Sequence, residues 1–216
     1  MKGQTNTGKK GMRGMFFILT GICLLAAAIA LVLYNRWDSD RAGRASEEVL
    51  TKLDRVIMEN VGGEPDEAGL MMPNFTEKPE QVMPTEEIDG YLYIGVLEIP
   101  SLNRRLPVME TWDYDRLKVS PCRYSGTYFT DDLVICGHNY ERHFSPIKWV
   151  DIGADVYFTT VDGVVYHYIV TNRETVEPTH ISRMIDSSQS DWQLSLFTCN
   201  TGGQTRCAVR CRRVEN

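Results

Sequence analysis

From Met15 to Tyr34 the chain carries no charged residue, and wound as a helix that run is about 30 Å long, the thickness of a bilayer's hydrocarbon core. This single feature divides the 216 residues into an anchor and whatever follows it. Lys2, Lys9, Lys10 and Arg13 precede the run with no acidic residue among them. Beyond it Arg36, Arg41 and Arg44 are mixed with Asp38, Asp40, Glu47 and Glu48. The positive-inside bias then predicts a cytoplasmic tail over 1–14, a single-pass anchor in the cell membrane over 15–34, and export of the rest. A cleaved signal peptide is the alternative. Against it, the run is longer than a signal core, and Leu-Val-Leu-Tyr-Asn-Arg stands where a small-x-small cleavage site belongs.

The remainder is long enough for one well-formed core but short for two. Its charge is acidic, since the whole chain is at a formal −6 and the four leading cations stay behind. No basic stripe with interleaved aromatics is present, which argues against a nucleic-acid partner. Val49, Leu50, Leu53, Val56 and Ile57 recur at helical spacing and predict an amphipathic helix over about 40–60. The stretch 61–87 is rich in Pro, Gly and Glu and reads as linker. Helix and linker thus occupy 35–87, and one domain occupies 88–216.

That domain reads as all-β. Short β-branched and aromatic runs at Tyr91–Ile99, Leu133–Cys136, Asp155–Thr160, Val164–Val170, Leu194–Cys199 and Arg206–Val214 are separated by turn residues. Asp162-Gly163 predicts a two-residue hairpin between antiparallel neighbours. Asn200–Thr205, with Gly202-Gly203, predicts a second hairpin loop. Paired without a bulge, the last two strands set Cys199 opposite Arg206, with Cβ atoms about 5 Å apart. The same register puts Leu194, Leu196, Cys207, Val209 and Cys211 on a core face, and Ser195, Cys199, Arg206, Arg210 and Arg212 on a polar face bordering a cleft.

A thiol beside a cation needs a group that moves protons near neutral pH, which is the province of histidine. His138 follows the run Leu133–Cys136 and Gly137, where a strand meets a loop, and is the preferred partner. His167 lies within a strand and reads as structural; His143 and His180 read as surface or loop residues. Arg210, Arg212 and Arg213 read as solvated edge-strand charges rather than a docking patch. Trp112, Trp149 and Trp192 read as core or cleft-wall residues.

His138 within Val-Ile-Cys-Gly-His-Asn, Cys199 within Leu-Phe-Thr-Cys and Arg206 before Cys-Ala-Val, in that order, resemble the sortase family. The resemblance covers roughly 91–214 and includes Tyr-Ile-Gly-Val-Leu-Glu-Ile-Pro and Leu106-Pro107-Val108. It implies a closed eight-stranded β-barrel with short helices, and a cysteine transpeptidase that needs no cofactor or metal. The partners implied are exported proteins bearing a C-terminal sorting motif, and an amine of the cell wall or of a pilin as acceptor. In the family's chemistry Cys199 attacks the motif to give a thioacyl enzyme, His138 shuttles protons, and Arg206 orients carbonyls and steadies the oxyanion. The Gly-His-Asn-Tyr context and the preceding helix are closer to the class B branch than to class A. The loop from Cys199 to Arg206 is short for the family, and no carboxylate cluster with a glycine turn marks a calcium site.

Two other enzyme types and one binding role are weighed against it. L,D-transpeptidases share the order His, Cys, Arg but place the arginine two residues after the cysteine, where Thr201 stands. Papain-like peptidases reverse the order of Cys and His. A membrane-tethered β-domain that only binds a partner would leave Cys199 inert. Disulfides among Cys122, Cys136, Cys199, Cys207 and Cys211 are open to an exported chain, although Cys207 and Cys211 lie too far apart along one strand to join.

Overall fold

The computed structural model describes residues 8–62, 82–180, 182–186 and 191–214. The greater part of the expected linker, 63–81, lies outside the described residues. Two compact units are present, Met1–Asp40 and Arg41–Asn216. Helix α1, Gly8–Gly62, contributes to both. It is one helix where the sequence suggested a separate one from Asp40, because nothing between Asn35 and Asp40 is Pro or Gly and so nothing there breaks it. In the first unit α1 is long and apolar enough to cross a membrane.

In the second unit the amphipathic pattern of α1 is used as expected. Val49, Leu53 and Ile57 are buried in a cluster with Tyr93, Val96 and Val161. The polar side of the same turns is tied to the barrel by Arg105, which grips both carboxylate oxygens of Asp54 at 2.5 and 2.6 Å, and by Asn60 Nδ2, which donates to Val161 O at 2.9 Å.

The barrel strands are β2 (Tyr91–Ile99), β3 (Arg104–Met109), β4 (Cys122–Ser125), β5 (Leu133–Cys136), β6 (Asp155–Thr160), β7 (Val165–Val176), β8 (Leu194–Cys199) and β9 (Arg206–Arg213). A three-residue β1 (Glu86–Ile88) precedes them, and a short α2 (Ser182–Ile185) sits between β7 and β8. The hydrogen-bonded order is β2-β3-β4-β5-β8-β9-β7-β6, and β6 returns to β2 to close eight strands. Two neighbours are parallel, β3 with β4 and β5 with β8; the rest are antiparallel. Closure depends on Gly95, because a Cβ there would stand 2.2 Å from Thr159 O on β6.

Leu194, Leu196, Cys207, Val209 and Cys211 face the barrel interior with Phe158 and Tyr168, as the alternation required. The outer face is more buried than expected. Ser195 is wholly buried and Arg210 is 4% exposed, and Phe197 and Ala208 join a second core cluster with α1 and α2 residues. Arg210 is therefore not a solvated edge charge, since β9 lies between β8 and β7 and carries no open edge at that point. The hairpin at Asp162-Gly163 joins antiparallel strands as expected, but its loop is longer than two residues. Only Gly163 has a positive φ, 83°, and its N–H donates to Thr160 O at 3.0 Å.

Candidate active site

Two registers meet on β8 and assemble the site. In the parallel pair Cys136, the last residue of β5, stands beside Phe197, which brings the chain just before His138 against β8 just before Cys199. In the antiparallel pair Cys199 stands directly opposite Arg206. Cys199 thus has an arginine directly opposite it, and the histidine follows the strand on its other side. All three residues line one cavity of about 300 Å³.

The backbone around the histidine is clamped to β8. The Gly137 N–H donates to Phe197 O at 3.1 Å, and the buried Thr198 hydroxyl donates to Gly137 O at 2.9 Å. Gly137 is required there because a Cβ would meet the Phe144 ring at 2.4 Å. The His138 ring then stacks face to face on Tyr140, with centroids 4.1 Å apart and planes 9° from parallel. Offset stacking of this kind restricts the imidazole to few orientations.

On the other side, Asn200 N–H donates to Thr205 O and Gly203 N–H to Asn200 O, at 2.9 and 2.8 Å, so the loop between Cys199 and Arg206 is a closed hairpin. Gly202 and Gly203 supply its positive φ angles of 87° and 72°. Arg206 Nη1 donates to Gly203 O at 2.8 Å and to Thr205 O at 3.2 Å, which holds the guanidinium base at the loop.

The cavity wall is aromatic and aliphatic. Trp112 stacks on Tyr124 at 5.3 Å, Tyr124 meets Phe197 edge-on at 5.1 Å, and Pro178 and Met184 stand on the β7–β8 side. A largely apolar trough that also holds a thiol, an imidazole and a guanidinium has room for an extended peptide. Trp112 is the cleft-wall residue expected of it and Trp192 is buried, but Trp149 is 75% exposed and belongs to neither class.

The cysteines separate by environment. Cys122, Cys136, Cys207 and Cys211 are buried, and burial raises the thiol pKa of each, that of Cys136 to about 12. Such thiols are poor nucleophiles. Cys199 alone among the described barrel cysteines is half-exposed. His167 is structural as expected, bonded to Asp155 at 2.7 Å. His143 corrects the sequence reading: it is fully buried, and burial pushes its pKa down to about 4. The stack of Tyr140 on His138 had no sequence signal beyond an i, i+2 aromatic, and Thr198 was legible only as part of a motif.

The chain matches the Sortase domain over residues 97–214, more than half its length, and it belongs to the sortase family. Sortases are cysteine transpeptidases, and that is the class of enzyme this fold and family define. Among solved structures it is similar to sortase C1 of Streptococcus agalactiae, at 25% identity and a TM-score of 0.53 over 60% of this chain and 72% of that one. It is also similar to Streptococcus pneumoniae sortase C, at 21% and 0.52 over 84% and 90%, and to a Clostridium perfringens sortase D5 transpeptidase, at 18% and 0.50 over 57% and 79%. No curated relative matches the chain by sequence. These likenesses, to sortases of the C and D branches, do not bear out the class B branch expected from the Gly-His-Asn-Tyr context and the preceding helix. The L,D-transpeptidase and non-catalytic alternatives are not favoured.

Proposed function

We propose that Cys199 is the nucleophile, His138 the proton shuttle and Arg206 the oxyanion and carbonyl clamp of a membrane-anchored sortase. The enzyme cleaves a C-terminal sorting motif of exported proteins and transfers the new carboxyl end to an amine of the cell wall or of a pilin. The observation that carries this reading is that His138, Cys199 and Arg206 line one largely apolar cavity, with Cys199 directly opposite Arg206 in the β8–β9 register.

In the acylation step the Cys199 thiolate adds to the scissile carbonyl, and the oxyanion is met by the Arg206 guanidinium. Collapse expels the amine, which takes its proton from imidazolium His138, and a thioester to Cys199 remains. The acceptor amine then loses a proton to His138, attacks the thioester and regenerates the thiolate. One well-placed oxyanion donor is worth about 3 kcal/mol in such a barrier. The positive-inside bias places the N-terminus in the cytoplasm and the barrel outside the membrane, where sorting substrates emerge.

The test is intact-mass analysis of the full chain in detergent after mixing with a library of sorting-motif peptides and quenching in acid. The expected result is a peptide adduct on Cys199 that is absent from Cys199→Ala. No adduct with any peptide, together with a Cys199 that resists alkylation in the folded protein, would refute the assignment.

A further inference from the structure

Arg210 lies four residues beyond Arg206 on β9, and its guanidinium is among the most enclosed charges in the barrel unit, with the residue 4% exposed. Nη1 donates to Met184 O at 3.1 Å and to the Ser195 hydroxyl, and Nη2 donates to Arg183 O and to Glu174 Oε1, the latter at 3.2 Å. The other oxygen of Glu174 accepts from the Arg183 side chain at 2.7 Å. The Trp192 ring covers the guanidinium at 5.1 Å.

Two of those acceptors are main-chain carbonyls of α2, a helix of four residues. A single turn has no stability of its own, and its last carbonyls have no partners within the helix. A planar fork with donors at fixed angles can take two successive carbonyls at once, which an ammonium cannot. The same helix contributes Met184, 4% exposed, to the lining of the Cys199 cavity.

We infer that Arg210, braced by Glu174, is a positioning residue for substrate recognition: it holds α2 so that Met184 forms a wall of the peptide trough. It touches neither peptide nor reacting atoms. The inference rests on the reading of that cavity as the sorting-peptide site, and it adds a specificity element to it. Removing the fork should loosen the wall, weakening peptide binding while leaving the Cys199, His138 and Arg206 chemistry in place.

The test compares the full chain in detergent with Arg210→Lys, Met184→Ala and the double variant, using the peptide that acylates Cys199 best and a small alkylating reagent as a reporter of the thiol. Arg210→Lys should raise KM about tenfold with kcat and the alkylation rate at Cys199 unchanged. Met184→Ala should raise KM similarly, and the double variant should be no worse than the poorer single, because both act through one wall. If Arg210→Lys fails to fold by circular dichroism, Glu174→Gln, which removes the brace and keeps its shape, is measured in its place with the same expectation. Unchanged KM in a folded variant, additive losses in the double, or a fall in kcat and alkylation together would each overturn the inference. Absence of any adduct in the unmodified enzyme would instead overturn the site assignment beneath it.

Discussion

Lowering the pH should destabilise the barrel through a residue that takes no part in the chemistry. His143 is wholly enclosed, and its pKa falls from the ordinary 6.5 to about 4, mainly because burial penalises the imidazolium. The Ala42 backbone opposes burial in part, and His138, Arg104 and Arg142 add smaller pushes in the direction of burial. The unfolded chain therefore binds a proton at His143 that the folded chain refuses, and stability is lost as pH drops through 6.5, levelling off below about 4. The gap is worth about 3 kcal/mol between its limits, and about 2 kcal/mol of it falls between pH 7 and 5. Carboxylates such as Glu110, whose pKa is lowered chiefly by Thr111 and also by Arg123, add losses at lower pH, so a reference variant is needed. His143→Phe keeps a ring in the space and cannot titrate. Urea unfolding of the Arg41–Asn216 unit, followed by tryptophan fluorescence at pH 7 and 5, should show the unmodified unit losing about 2 kcal/mol more than His143→Phe over that interval. Equal losses would refute the reasoning, and would mean that His143 is protonated in the folded state.

Thr198→Val should cost about 1–3 kcal/mol, since it strips the buried Gly137 carbonyl of its hydroxyl donor while keeping side-chain volume, and it should slow acylation by releasing the turn before His138; Thr198→Ser should restore the rate. Chemical denaturation and the adduct assay check both halves. Arg206→Lys should lower kcat by a factor of about 100 with the fold intact, because an ammonium lacks the fork, as stopped acylation time courses would report. Gly126→Ala should destabilise by more than about 2 kcal/mol, since φ is 68° and the new Cβ would lie 2.0 Å from Asp132 O, a loss measurable as a lowered melting temperature.

What the sequence made legible was whatever alternation and turn chemistry control locally. The β8–β9 hairpin is the clearest case: apolar residues recur at every second position on the inner face and a glycine pair marks the loop, so the opposition of Cys199 and Arg206 could be read directly. The parallel neighbour β5 could not be read that way, because its register with β8 is set across some sixty residues by tertiary packing; His138 emerged from its motif instead. β3 and β4 were obscured by Pro107, a double arginine and a bulge between Arg123 and Ser125. β7 runs on past a bulge to Val176, beyond the expected end at Val170, because Glu174 and Arg173 are matched by partners on β9 and beyond. Burial of His143 and Arg210 was illegible for a related reason. A charged or polar residue between polar neighbours in sequence says nothing of what distant segments lay over it.

The hairpin that joins Cys199 to Arg206 has a consequence for how such a chain can vary. Because Cys199 and Arg206 are the last opposed pair before the loop, residues can be added or removed between them without disturbing their opposition, so long as the two strands still close. One residue inserted within β8 would be a different matter: it would turn Cys199 into the barrel and Thr198 out of it. The six residues Asn200–Thr205 are thus the natural place to lengthen, shorten or graft a segment beside the thiol, while the strand before them tolerates substitution but not a change of length.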